Sequence, residues 1–219
     1  MPMHAPRLYI CRGQRLWLTA ERTVFWEDEN TLILSDTHLG KSGHFRKSGI
    51  PVPPHVSKHD LVRLFAQVRL FNPRNLLING DFFHSGYNAE LDQFSRWREN
   101  FPDLNITLVR GNHDILAEEW YQKNGITLHE TWTSGPFRFV HDIGDEVPDT
   151  EPFTFTGHIH PGVLLRGNGR QRLRLPCFYF GHEYAILPAY SAFSGTALIE
   201  PRPGEAVFAI ANNALIQLQ

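Results

Sequence analysis

Short apolar runs alternate with polar, glycine-containing turns along the chain. Thr31 to Ser35 is rich in Leu and Ile, the composition of a strand buried on both faces. Asn75 to Asn79 and Asn105 to Arg110 have the same character, and shorter strands are predicted at Arg15 to Leu18 and Thr23 to Trp26. Between the buried runs the apolar period lengthens. Leu61, Leu64, Phe65 and Val68 recur at helical spacing, predicting a helix from an N-cap at Ser57 to Phe71. Leu91, Phe94 and Trp97 share one face of a second helix, Ala89 to Phe101. Ile115 to Asn124 predicts a third, closed by Gly125 at the C′ position. Pro51, Pro53 and Pro54 mark an irregular segment before the first helix. Strand, helix, strand, helix, strand is the order of βαβ units, and it predicts a parallel sheet.

From Thr131 onward only short β-type runs occur: Phe137 to Val140, Phe153 to Thr156, Gly162 to Arg166, Arg172 to Leu175, Cys177 to Phe180, Ala197 to Glu200 and Val207 to Ile210. They predict a second sheet packed on the first, with helices outside, so the expected class is α/β (α+β). At 219 residues the chain is long enough for one domain with a large core and short for two, so residues 1–219 are expected to be a single domain. With 42% apolar and 20% charged residues it has an ordinary globular composition. No apolar run approaches the ~20 residues of a membrane helix, and Arg7, Arg12 and Arg15 interrupt the N-terminus. Neither a membrane partner nor a signal peptide is expected, which places the chain in the cytoplasm. Cys11 and Cys177 fit two buried, reduced thiols rather than a disulfide framework. A formal net charge of -2 argues against tight non-specific duplex binding and leaves room for a local basic patch.

The unusual count is 12 histidines, so their placement matters. Asp36-Thr37-His38 follows the first buried run. Gly80-Asp81, with His84 close behind, follows the second, and Gly111-Asn112-His113-Asp114 the third. His141-Asp142 and Gly157-His158-Ile159-His160 follow two of the later strands. Every cluster sits at the carboxyl end of a predicted strand, where open α/β sheets bind ligands. The donors are carboxylate, amide and imidazole, with no thiolate, a set that suits manganese, iron, cobalt or zinc. Asp36, His38, Asp81, Asn112, His141, His158 and His160 exceed the three or four ligands of one tetrahedral zinc. With Asp81 shared, they supply four donors to each of two ions, roughly 3.5–4 Å apart in two-metal sites.

Taken together in this order, these motifs resemble the calcineurin-like metallophosphoesterase superfamily. Further segments extend the resemblance: Leu39-Gly40-Lys41, Phe45-Arg46, Gly49 to Pro53, Pro136 to Asp142, His160-Pro161-Gly162, Arg174 to Phe178 and Leu187-Pro188-Ala189. They are similar to the bacterial DNA ligase-associated metallophosphoesterase family (PdeM). That resemblance implies a four-layer αββα sandwich of two mixed β-sheets flanked by helices. It implies two divalent metal ions, manganese first and iron or zinc as alternatives, and a metal-activated water attacking phosphorus. It also implies a DNA nuclease role in the DNA damage response, beside a DNA ligase, a helicase and an exonuclease. By the same resemblance one metal takes Asp36, His38, Asp81 and His160, and the other takes Asp81, Asn112, His141 and His158. His113 is then the group that donates a proton or hydrogen bond to the leaving-group oxygen.

Other residues keep two readings. Asp114 either orients the His113 ring or caps the helix predicted near Ile115. His84 touches substrate or supports the ligands, or is a loop histidine. Asp142 stays unassigned. Lys41, His44, Arg46 and Lys47 form a basic loop that clamps a substrate phosphate or is simply solvated. Arg110 is a substrate contact or structural. Arg166, Arg170, Arg172 and Arg174 make a solvent-facing strand side or a nucleic-acid track. Three functions follow: a phosphodiesterase acting on DNA, a phosphomonoesterase or small-nucleotide phosphodiesterase, and a non-catalytic metal-binding partner in a repair complex.

Overall fold

The computed structural model describes residues 5–41, 56–84, 89–144, 151–167, 171–192 and 194–219. His44, Arg46, Lys47, the three prolines before the first helix and Arg170 lie outside the described residues. The first sheet has seven strands in chain order: β1 (Arg7–Cys11), β2 (Gln14–Leu18), β3 (Val24–Trp26), β4 (Thr31–Leu34), β5 (Asn75–Asn79), β6 (Asn105–Val109) and β7 (Ile126–His129). From β1 to β4 neighbours are antiparallel; from β4 to β7 they are parallel. The helices α1 (Val56–Phe71), α2 (Ala89–Arg98) and α3 (Glu118–Lys123) connect the parallel strands.

Residue alternation decides which face each strand residue serves. Leu32, Leu34, Leu76, Ile78, Ile106 and Leu108 pack in one buried cluster with Leu61, Leu64 and Val68 of α1 and Leu91, Phe94 and Trp97 of α2. Ile33, Leu77 and Val109 belong to a second cluster, shared with the other sheet. Both faces are buried, which is why these runs hold so few polar residues.

The second sheet comprises β8 (Trp132–Ser134), β9 (Phe137–Phe139), β10 (Phe153–Thr156), β11 (Pro161–Arg166), β12 (Arg172–Phe180), β13 (Tyr184–Ile186), β14 (Ala197–Leu198), β15 (Ala206–Ala211) and β16 (Ala214–Gln217). Its main path runs β14-β11-β12-β13-β10-β9-β8, with β15 on β12 and β16 on β15. Phenylalanines fill the space between the sheets. Phe137, Phe139, Phe155, Phe178, Phe180 and Phe208 are all buried there, and the Phe139 and Phe155 rings stack at 5.2 Å.

Several expectations need correction. β1, β7, β8, β13 and β16 are not foreseen as strands. Arg172 to Leu175 and Cys177 to Phe180 are one strand, not two. Pro176 sits where β12 changes partner: it is the last residue paired with β11, and Cys177 is the first paired with β15. A residue without an N–H is tolerated at such a changeover. α2 stops at Arg98, short of Phe101, because Phe101 precedes Pro102 and is disfavoured in a helix. α3 begins at Glu118 rather than Ile115, and Ile115 is exposed. Ser57 falls inside α1, which starts at Val56, instead of capping it. Gly125 follows α3 with φ +65, the left-handed C′ geometry expected of it.

The three helices pack on the outer face of the first sheet. The outer face of the second carries its own small cluster, including Val163, Cys177, Tyr179 and Val207. Among the described residues no helix packs on it, and the two mixed β-sheets with helices outside are the architecture expected. Cys11 and Cys177 are buried and free, and burial pushes both thiols up to about 12. No helix of the described residues is long and apolar enough to cross a membrane.

Candidate metal centre

The carboxyl ends of β4, β5, β6, β9 and β10 meet at one rim. Beyond β4 the chain keeps pairing with β5: Asp36 N donates to Gly80 O (3.1 Å) and His38 N to Asp81 O (2.9 Å). On the second sheet Gly157 N donates to His141 O (3.0 Å). The sheets are tied together at this rim by Asn79, whose side-chain amide donates to Val140 O and Phe155 O, both at 3.2 Å.

Two groups of donors converge there: Asp36, His38 and His160 in one, and Asp81, His141 and His158 in the other. In the first, His160 Nε2 is 3.1 Å from Asp36 Oδ1 and 3.4 Å from His38 Nε2. In the second, His141 Nε2 is 3.4 Å from Asp81 Oδ2. The same Asp81 oxygen is 3.9 Å from His38 Nε2, and Asp36 Oδ1 is 3.9 Å from His141 Nε2. The two groups therefore share one space, with Asp81 between them. Asp36 Oδ1 and His141 Nε2 are buried there without a hydrogen bond. Polar atoms left so are costly unless something else satisfies them. Nitrogen and oxygen donors around such atoms fit divalent cations.

The backbone is bent to make this possible. Asp36, His38, Asp81, His158 and His160 all have left-handed φ, between 46° and 60°. Non-glycine residues occupy that region at a cost, and such outliers cluster at functional sites. Gly80, φ +83, lies against the His141 ring, and a Cβ there would fall 2.0 Å from Nδ1. Gly157 likewise lies against Ser35 Oγ and Asp36 Oδ2. Sequence reading missed the residues that hold the ligands. Ser35 Oγ lies 2.6 Å from Asp36 Oδ2 and 2.7 Å from Asn79 O, with one proton to share between the two acceptors. Asn79 O also accepts from His141 Nδ1 (3.0 Å), and Thr156 Oγ1 donates to His141 O (2.7 Å). The available signal was that Ser35, Asn79 and Thr156 are polar residues ending buried strands.

Burial sets the ring charges. It pushes His38 down to about 3, with Lys41 adding to the effect against the pull of Asp36 and Asp81. Burial also works against a charged His141, yet Asp81 and Asp36 outweigh it and hold this ring up at about 9. The reciprocal attraction keeps Asp81 low, at about 2, against its own burial. In the metal-free chain a proton thus occupies part of the cationic position, and a metal ion binding to His141 must displace it.

The remaining candidates divide. Asn112 is exposed at the rim, and its side chain makes no hydrogen bond among the described residues. His113 N donates to Asp81 Oδ1 (2.9 Å). Its ring lies 5.5 Å from His38 and 4.7 Å from His84, so both candidate histidines border the first donor group. Asp114 fills neither role expected of it. Its oxygens accept from the Phe83 amide (3.0 Å) and the Gly111 amide (2.9 Å), not from the His113 ring, and α3 starts too late to be capped. It ties two rim loops together, and burial pushes its carboxyl up to about 6. Lys41 is near enough to feel Asp36 and Asp81, while burial lowers its pKa. Asp142 Oδ2 faces His158 Nε2 at 3.6 Å. Arg110 pairs with Glu118 at 3.1 Å and Glu130 at 3.6 Å. Arg166 and Arg172 are cross-strand neighbours on the β11–β12 hairpin, and Arg174 donates to Thr196 O.

The family model described as calcineurin-like phosphoesterase matches residues 30–182. Among solved structures, the nuclease MPE of Pseudomonas putida superposes with a TM-score of 0.83 at 29% identity, covering 97% of this chain and 100% of that one. The phosphoesterase Yfce of E. coli gives a TM-score of 0.44 at 16% identity, over 86% of this chain and 97% of that one. No curated protein matches. The matched stretch runs from before Asp36 to beyond His160 and takes in both donor groups, so this chain belongs to the calcineurin-like phosphoesterase family and is a metal-dependent phosphoric ester hydrolase.

Proposed function

We propose that the chain is a phosphodiesterase that holds two divalent ions, manganese first among them, and cleaves DNA strands. The observation that carries this reading is the pair of donor groups meeting at Asp81. Asp36, His38, Asp81 and His160 would hold one ion, and Asp81, Asn112, His141 and His158 the other. Such ions, when bound, offset charge developing on phosphoryl oxygens and make water nucleophilic near neutral pH. His113, beside the first group, donates a proton to the departing oxygen, whose expulsion as an alkoxide is costly. His84, whose ring is 4.7 Å from that of His113, and Lys41, near enough to feel Asp36 and Asp81, would offer a substrate phosphate hydrogen bonds and charge. The choice of DNA is supported by the full-length likeness to a protein named as a nuclease. Membership of the ligase-associated (PdeM) family, a role in DNA repair beside a ligase, helicase and exonuclease, and a cytoplasmic location belong to the same reading and rest on the sequence resemblance.

A small phosphorylated substrate is the second reading, favoured by the net charge of -2. The deciding experiment is hydrolysis of bis-p-nitrophenyl phosphate, p-nitrophenyl phosphate, and single- and double-stranded DNA in matched manganese and chelator lanes. Manganese-dependent cutting of the diester and of DNA is expected. Intact DNA beside a hydrolysed small ester moves the assignment to the second reading. No hydrolysis of any substrate by the metal-loaded chain leaves a non-catalytic partner.

A further inference from the structure

Beside the metal centre, on the β3 side, lies a cavity of about 540 Å³ lined in part by Arg22, Arg63, His59, Asn212 and Asn213. Its lining reaches the level of the same rim. Val24 pairs with Ile33, so the turn carrying Arg22 reaches the level where β4 ends and Asp36 follows. On the other sheet Pro176, which also lines the cavity, pairs with Gly162, two residues after His160. One peptide segment separates Arg22 from the donors. Arg22 Nη1 donates to Ala189 O (2.9 Å) and Ser191 O (2.7 Å), while Tyr190 N and Ser191 N donate to Ser35 O (2.8 Å) and Asp36 O (3.1 Å).

The two arginines differ in how their charge is met. Arg63 is fully engaged: Nε with Glu21 Oε2 (2.7 Å), Nη1 with Asp60 Oδ1 (2.9 Å), Nη2 with Glu21 O (2.8 Å), and its face lies over the Tyr190 ring. The two carboxylates nearby, Glu21 and Asp60, thus accept hydrogen bonds from Arg63 rather than from Arg22. Arg22 has no ion pair with a carboxylate among the described residues, and its Nε and Nη2 make no hydrogen bond there. Burial lowers its pKa only to about 10, so it stays charged at neutral pH. Glu21 and Asp60 attract Arg22 only through space, and a planar guanidinium with an unbonded edge matches a phosphate. Asn212 and Asn213, which form the β15–β16 turn with left-handed φ of 48° and 61°, line the same cavity.

We propose that this cavity is a phosphate subsite, in which Arg22, sharing the lining with Asn212 and Asn213, takes a backbone phosphate of a substrate strand whose scissile phosphate lies at the metal centre. The proposal rests on the phosphodiesterase reading and narrows its substrate to one longer than a single phosphodiester. The anion itself could come from the strand or from free phosphate, and the test separates them.

The test uses the manganese-loaded full chain and Asn212→Asp, a nearly isosteric change that tolerates the same turn and adds a carboxylate to the lining that Arg22 shares. Two readouts are taken in parallel. One is the ratio of kcat/KM on a single-stranded oligothymidylate to that on bis-p-nitrophenyl phosphate. The other is binding of the fluorescein-labelled oligothymidylate by anisotropy. The ratio and the affinity should each fall roughly tenfold, the worth of one charge-assisted phosphate contact. Arg22→Lys, which keeps the charge but loses the fork, should lower both by less. The proposal is overturned if Asn212→Asp leaves both readouts unchanged. It is also overturned if oligonucleotide and small ester lose equally, or if only inhibition by inorganic phosphate changes. Wild-type protein that binds the oligonucleotide without cutting it, with binding weakened in Asn212→Asp, sinks the nuclease reading and leaves the subsite standing.

Discussion

Gly80→Ala tests whether glycine is needed to seat His141. The new Cβ would lie 2.0 Å from His141 Nδ1 and 2.2 Å from Cγ, far inside contact distance. Holding alanine at φ +83 costs about 1–2 kcal/mol. The ring must move, breaking the Nδ1–H to Asn79 O bond of 3.0 Å, worth about 1 kcal/mol. Forcing bulk into a packed site adds about 1–3 kcal/mol. The total is about 4 kcal/mol. Gly13→Ala is the control: φ is +76, with nothing within 4 Å of the added carbon, so only the backbone cost of about 1 kcal/mol applies. Urea unfolding in chelator should separate the two variants by about 3 kcal/mol. Metal analysis should find one ion per chain in Gly80→Ala and two in the control. Equal unfolding midpoints, with two ions in both proteins, would refute the assignment of Gly80 as the cradle of His141.

Two further substitutions probe the centre. Asp81→Asn should leave at most one ion per chain and cut diester hydrolysis by more than about a hundredfold, because its carboxylate faces both donor groups. Two bound ions with normal turnover would contradict the bridge. His113→Ala should keep both ions and lose about 10²–10⁴ in rate on DNA, whose leaving oxygen needs a proton. It should lose much less on bis-p-nitrophenyl phosphate. An equal loss on both substrates removes the proton-donor role.

The buried runs at β4, β5 and β6 were legible because a strand covered on both faces must be apolar throughout, and the donor motifs stood out at their ends. So did Leu91, Phe94 and Trp97, where one apolar stripe marks one helix. Edge and short strands were not legible. β1 leaves Leu8 and Ile10 exposed, and β13 has only three residues, so neither carries a clean period. Asp114 shows the limit of local reading: its position before a helix suggested a cap, while its carboxylate is spent on amides of two separate loops.

The sequence by itself determined which chemistry this chain carries, since imidazole and carboxylate at successive strand ends suit little else than metal ions. Only the tertiary structure decided how the donors divide, that Asp81 stands between the groups, and that Ser35, Asn79 and Thr156 hold them. It alone left Arg22 beside them with an unbonded guanidinium edge. Donor identity is a property of single residues and survives in a string of letters. Distance between residues as far apart as Asp36 and His160 depends on two sheets closing over a phenylalanine core, and no local pattern encodes that closure.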